Sequence, residues 1–247
     1  PDEKKTGIEV TNPEDSIYDG LPHVNPLTVT DTKTKTDLEE NKDYTLTYSS
    51  DVINVGTVDV TVNGIGNYAG EFKKSYKITP REYTVTTESA KKVYDGTALT
   101  AGGKIEGIVS GETVEFTTTG SRTDEGTSKN TYSLKWNGSA IQTNYKLAKE
   151  SIGDLTVTPK SIIPDEPDTP DDKKTGITVS NPKDSKYDGQ EHREVLTVKD
   201  TKTGKDLIAN KDYTVVYSDD LVNAGTVTIK VSGLGLSLIH ISEPTRH

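Results

Sequence analysis

The stretch DYTLTYSSDVINVGTVDVTVNG, residues 43–64, decides the fold. Tyr44, Leu46 and Tyr48 stand two apart, with Thr45 and Thr47 between them, and Val58, Val60 and Val62 repeat the alternation. A period of two is the mark of a strand that buries one face, and threonine, valine and tyrosine suit such a strand. Asn63-Gly64 then supplies residues that accept positive φ in a tight turn. The stretch therefore predicts two half-buried strands in an all-β chain.

Working outward, nearly the same stretch returns at 212–233 as DYTVVYSDDLVNAGTVTIKVSG. Residues 1–66 align with 170–235 without a gap, and roughly 60% of the aligned positions are identical. This unit, type A, predicts a complete domain at 1–80 and a second, truncated one at 174–235. Residues 81–159 form type B, a diverged relative with the same punctuation in the same order. Tyr18-Asp19-Gly20, Gly56-Thr57, Asn63-Gly64, Asn67-Tyr68 and Ile78-Thr79-Pro80 of A become Tyr94-Asp95-Gly96, Gly126-Thr127, Asn137-Gly138, Asn144-Tyr145 and Val157-Thr158-Pro159 of B. In B the pairs Tyr83/Val85, Val114/Phe116, Leu134/Trp136 and Tyr145/Leu147 alternate as strands do. Residues 160–173, KSIIPDEPDTPDDK, read as an acidic, proline-rich linker, extended and solvated. No helical period runs beyond a turn or two. The fold class expected is all-β: tandem small Ig-like β-sandwich domains arranged as beads on a string, with a β-grasp-like topology as the alternative.

Composition narrows the function. The net charge of −10 opposes binding to a phosphate backbone, so nucleic acid is not an expected partner. With no cysteine, disulfides and thiolate metal sites are excluded. No stretch reaches the roughly 18 apolar residues of a membrane span. There is no signal peptide and the first residue is not methionine, so the chain is read as an internal piece of a longer protein.

No residue pattern points to catalysis, a cofactor or a metal. His23 and His192 share one repeat position in a polar loop, where solvent exposure is expected, and no G-x-S-x-G elbow accompanies them. GIGNYAG, 64–70, lacks the helix that a phosphate loop needs. The acidic runs 164–172 and 200–207 do not follow the EF-hand pattern. The Tyr-Asp-Gly triplets at 18–20, 94–96 and 187–189 read as an edge-packed tyrosine followed by a turn. Lys135, beside Trp136, is the lysine to test for an amide staple to an asparagine, although alternation turns it away from the Leu134/Trp136 face. No pocket lined by convergent polar groups is expected in both A copies.

The triplets, the DYT-x-x-YS runs at 43–49 and 212–218, N-x-GT at 54–57 and 223–226, GIGNYAG, and SYKITP at 75–80 resemble the MBG/YDG-type repeat domains of large bacterial surface proteins. Those modules are often described as mucin-binding-like or Ig-like. The resemblance covers the chain almost to Gly235. It implies no catalytic residues and no cofactor, an extracellular location on a bacterial cell wall, and a role as stalk or adhesin. The expected function is that of non-catalytic spacer repeats in a secreted adhesin. The rivals are glycan- or mucin-binding modules and accessory modules of a large secreted enzyme. The partners to consider are host or extracellular glycans, mucin, and neighbouring repeats of the same parent chain.

After Gly235 the repeat breaks. Where the first copy continues NYAGEFKKSYKITP, the second continues LSLIHISEPTRH, 236–247, which looks like the translation of a transposon-based sequencing adapter. Its alternation would allow a pseudo-strand, and Pro244, which cannot donate to a ladder, should end any pairing.

Overall fold

The computed structural model describes residues 6–234 and 240–246, the last as backbone alone. Part of 236–247 thus lies outside the described residues. Strands and turns make up the fold, and the longest helix among the described residues is the three-residue 3-10 turn Gln142–Asn144. The fold is all-β, and its strands are arranged in small sheets of two to four strands. Among the described residues no helix crosses a sheet, as a β-grasp would require.

The first A copy shows why the sequence folds so. Strands β1 (Ile8–Val10), β3 (Val29–Asp31) and β4 (Thr36–Asp37) form one sheet. The facing sheet runs β2-β7-β6-β5, with β2 at Ser16–Ile17, β5 at Tyr44–Tyr48, β6 at Gly56–Gly64 and β7 at Glu71–Thr79. Neighbours in it are antiparallel except β2, which joins β7 in parallel. The alternation is realised: Val58, Val60 and Val62 of β6 and Tyr76 and Ile78 of β7 are buried against Val29 and Tyr44. The intervening residues face outward. Apolar burial at about 25 cal/mol per Å² drives this closure.

In B, β8 (Arg81–Thr87) lies between β10 (Gly103–Glu106) and β14 (Tyr145–Ser151), and β11 (Thr113–Thr118) pairs with β13 (Tyr132–Asn137). A third sheet runs β12-β15-β9, with β9 at Ala90–Val93, β12 at Gly126–Lys129 and β15 at Asp154–Thr158. Tyr145 is buried, but Leu147 is 39% exposed, contrary to the shared inward face expected of the pair. The β14 register slips between Leu147 and Lys149 at the sheet edge, and a bulge there turns the strand out of the core.

The second A copy repeats the first sheet as β16 (Ile177–Val179), β17 (Val198–Asp200) and β18 (Lys205–Asp206). Its other sheet is β19 (Tyr213–Tyr217), β20 (Thr226–Gly233) and β21 (His240–Arg246). The tail therefore takes the place of β7, and in the same register: Asn63 faces Glu71 in the first copy, and Ser232 faces His240 in the second. Pairing does not stop at Pro244. It continues to Thr226 opposite Arg246. The reason is position, because β21 is an edge strand, and a proline whose nitrogen faces outward removes no ladder bond.

By contacts the chain divides into two compact units: Pro1–Thr87 with Gly102–Thr119 and Thr131–Ile152, and Glu88–Ala101 with Gly120–Asn130 and Gly153–His247. One part of B thus belongs with the first A copy and the other with the second.

The linker begins as packed structure. Ile162 joins the apolar cluster of Ile177, Leu196, Val198, Tyr213 and Ile229. Lys160 donates to Asp200 at 2.7 Å, with side chains only 10% and 3% exposed. Asp165 accepts from the Thr175 and Gly176 amides. An isoleucine pair and a lysine facing a buried carboxylate outweigh the solvation of this short stretch, and exposed acids begin only at Glu166.

Candidate functional site at the Tyr-Asp-Gly joints

Each triplet builds the same turn. Asp19 Oδ1 accepts from the Leu21 amide, Asp95 Oδ1 from Thr97 and Asp188 Oδ1 from Gln190, each at 2.9 Å. The glycine that comes next sits at φ +81°, +79° and +77° respectively, in the left-handed region that a Cβ disfavours. At Asp95 the Lys92 ammonium, 2.6 Å away, and then the Thr97 donors hold the carboxyl well below the usual range.

The turn aims the tyrosine before it. The Tyr18 amide donates to Thr79 O at 2.9 Å, and the Tyr94 amide to Thr158 O at 2.8 Å, tying each triplet to the last strand of its own module. The Tyr18 ring, 2% exposed, lies edge-on to Tyr145 of B at 5.5 Å. Its hydroxyl donates to Glu112, whose other oxygen accepts from Tyr145 at 2.6 Å. Burial first, and then the hydrogen bond to Glu112, push both phenols above their ordinary value. Tyr83 and Trp136 of B close around Tyr145 at 6.4 and 5.1 Å.

A polar clamp lies beside the rings. Asn144 of B is fully buried. Its Oδ1 accepts from the Val55 amide at 2.9 Å, and its Nδ2 donates to Asn54 Oδ1 at 2.7 Å. Both partners lie in the N-x-GT run of the first A copy. A residue added at Gly20 would place its Cβ 3.2 Å from Val109 of B, so the turn itself touches the next module.

The second triplet repeats the arrangement with other chemistry. The Tyr94 hydroxyl accepts from Lys205 Nζ of the second A copy at 3.3 Å, and a Cβ at Gly96 would lie 3.0 Å from the Thr203 methyl. The third triplet is bare. Tyr187 is 65% exposed, and among the described residues its hydroxyl has no hydrogen-bond partner.

The histidines depart from expectation. His23 and His192 are half-buried, not free in solvent, and each ring lies against the aspartate of its own triplet, at 3.0 Å from Asp19 and 2.9 Å from Asp188. The cause is the loop's anchorage. The His23 amide donates to Val52 O and the His192 amide to Leu221 O, folding the ring back onto the Asp-Gly turn.

A second correction concerns concavity. Both A copies carry a cleft at the same repeat position, of about 450 Å³ and 770 Å³, lined in turn by Ile8 or Ile177, Asp31 or Asp200, Leu38 or Leu207, and Asp43 or Asp212. The first is lined also by Tyr68 and Phe72, the second by Tyr94 and Glu125 of B and by Lys160 and Ile162. The shared carboxylates serve local structure: Asp31 accepts from the Lys33 and Thr34 amides, and Asp43 from the Glu39 amide. Asp200 and Asp212 do the same in the second copy.

The remaining candidates have local roles. Lys135 is exposed and reaches Glu115 across β11 and β13 at 3.3 Å. In GIGNYAG the Gly64 amide donates to Gly70 O, so the run closes a loop between β6 and β7. Among the described residues no three His, Asp or Glu side chains gather in a way that could hold a metal ion, and no helix is long and apolar enough to cross a membrane. The joints escaped sequence reasoning because Glu112 lies far along the chain from Tyr18. The repetition of the triplet was the available signal.

No family model and no curated protein matches the chain. Among solved structures it is similar to extracellular cadherin domains 1–4 of protocadherin gamma B7, at 9% identity and a TM-score of 0.26, covering 95% of this chain and 75% of that one. It is also similar to the I9–I11 tandem of titin, at 10% identity and a TM-score of 0.26, covering 95% and 97%. Superpositions this loose bear on neither activity nor partner.

Proposed function

We propose that the chain is a set of non-catalytic spacer repeats from a secreted bacterial surface adhesin. The observation that carries this reading is the shared core between modules. Tyr145 of B belongs to the same buried cluster as Tyr18, Val58 and Ile78 of the first A copy. Modules joined through a common core resist bending at their junction, which suits a part whose work is to hold a distal domain away from a cell wall. The Asp19–His23 and Asp188–His192 pairs brace turns and have no catalytic part in this reading.

The exposed Tyr187 ring favours a second reading, direct recognition of glycan or mucin, since sugars stack on such rings. Binding of the whole chain to a glycan array and to immobilised mucin separates the two. A spacer gives no saturable signal. Saturable binding that Tyr187→Ala abolishes would replace the spacer reading with recognition.

A further inference from the structure

We propose that the face around Tyr187 is the seat of another B-type module, one that presents a carboxylate, a tyrosine and an asparagine side chain as residues 109–145 present them to Tyr18. This inference rests on the spacer reading and names the partner of its joint. Two triplets of three already meet the next module along the chain, Tyr18 through Glu112 and Tyr94 through Lys205. The third copy has the same turn, with Gly189 at φ +77° and Asp188 bonded to the Gln190 amide.

The whole face is duplicated and uncovered. Asn54 and Val55, which clamp Asn144, are half-buried, and their equivalents Asn223 and Ala224 are exposed. Asn223 already has the posture of Asn54, its Nδ2 held by Asp220 at 3.0 Å as that of Asn54 is held by Asp51 at 2.9 Å. Its Oδ1 is thereby turned to accept from an incoming amide. Around Gly20 the space is filled by Val109 and Glu112, whereas nothing lies within 4 Å of a Cβ at Gly189. The expected occupant is B because B is the module that succeeds the first A copy in the chain and covers its face.

Three chains test this by site-resolved nitration with tetranitromethane: the present chain, one with residues 67–80 added after Gly235 in place of 236–247, and one with 67–159 added there. The second completes the A fold without a partner, and the third also supplies B. Nitration of Tyr187 is expected to stay high in the first two and to drop roughly tenfold or more in the third, as local cover slows access. Glu→Gln at the appended copy of Glu112 should return part of it. Equal nitration in the second and third chains, with the appended tryptophan buried by fluorescence, overturns the proposal. Protection already present in the second chain also overturns it, since completion of the A copy alone would then cover the ring.

A measurement on the present chain guards against failure of the appended module to fold. Glu112→Lys should raise Tyr18 nitration toward that of Tyr187 while Tyr44 stays protected. If Tyr18 stays protected, the next module does not supply its cover, and the proposal falls. Mucin binding by the present chain would remove the spacer reading and leave the nitration result standing, so the two failures are separable.

Discussion

Tyr18 and Tyr187 occupy one repeat position in opposite surroundings, one sealed by the Glu112 carboxylate and the Tyr145 ring, the other facing solvent. Tyr18→Ala is therefore expected to cost about 3–5 kcal/mol, as large aromatic truncations in cores do. Tyr187→Ala should stay within about 0.5 kcal/mol. Urea melts followed by Trp136 fluorescence for the first, and by circular dichroism for both, check this asymmetry. The same pocket sets a pH dependence. Burial and Glu112 raise the phenols of Tyr18 and Tyr145 in the fold. A group whose folded value is raised adds stability that is fully present below its unfolded value, near pH 10, and lost as pH climbs through the folded one. The stability of the first unit should thus fall above about pH 10. In Glu112→Gln the late ultraviolet tyrosinate transition should move down without reaching the ordinary range, because burial remains. None of this was legible in the triplet alone. Aspartate and glycine announce a turn by their own chemistry, but what a tyrosine touches depends on which distant chain returns beside it.

Single elements were legible where one strand buries one face. Val58, Val60 and Val62 needed only their spacing, and so did Lys135, which alternation placed outside. Elements that draw their partner from another module were not. KSIIPDEPDTPDDK reads by composition as solvated, yet Lys160 is seated on Asp200, a residue forty positions away in the second A copy. Burial alone would raise the Asp200 carboxyl. The Lys160 ammonium and the Thr203 and Lys202 amides outweigh it and hold the group below its usual value. Removing one partner of a buried pair leaves a charge uncompensated, so Lys160→Ala should destabilise the second A copy by roughly 3–5 kcal/mol in denaturant melts, with little effect of salt. Because the folded value is depressed, the stabilisation by this pair is present above about pH 4 and fades as pH falls through the folded value. In Lys160→Ala that acid dependence should be smaller. Pro244 carries the related lesson that a proline's effect on pairing depends on which edge its nitrogen faces.

At the scale of the molecule, the ungapped repeat and the strand spacing made repeated β-structure readable, because each A copy gathers its buried cluster mostly from its own alternating residues. The sharing of one core by neighbouring modules was not readable, since it arises only once Tyr145 and Trp136 of B are folded against the first A copy. The parallel pairs have a mechanical consequence. In the first A copy, β2 enters beside the departing β7, with Ser16 opposite Ile78 and Ile17 opposite Thr79. In B, β8 lies parallel to β14 from Arg81 to Thr86, and β9 to β15 from Ala90 to Val93. When the ends of the chain are pulled apart, the two members of a parallel pair are drawn in opposite directions along their length. Their hydrogen bonds are then loaded together in shear instead of being unzipped one by one. Among the described residues the second A copy has no such pair. Single-molecule stretching, which reads the rate of forced unfolding, should show the second A copy yield first, and the segments that hold the parallel pairs at higher force.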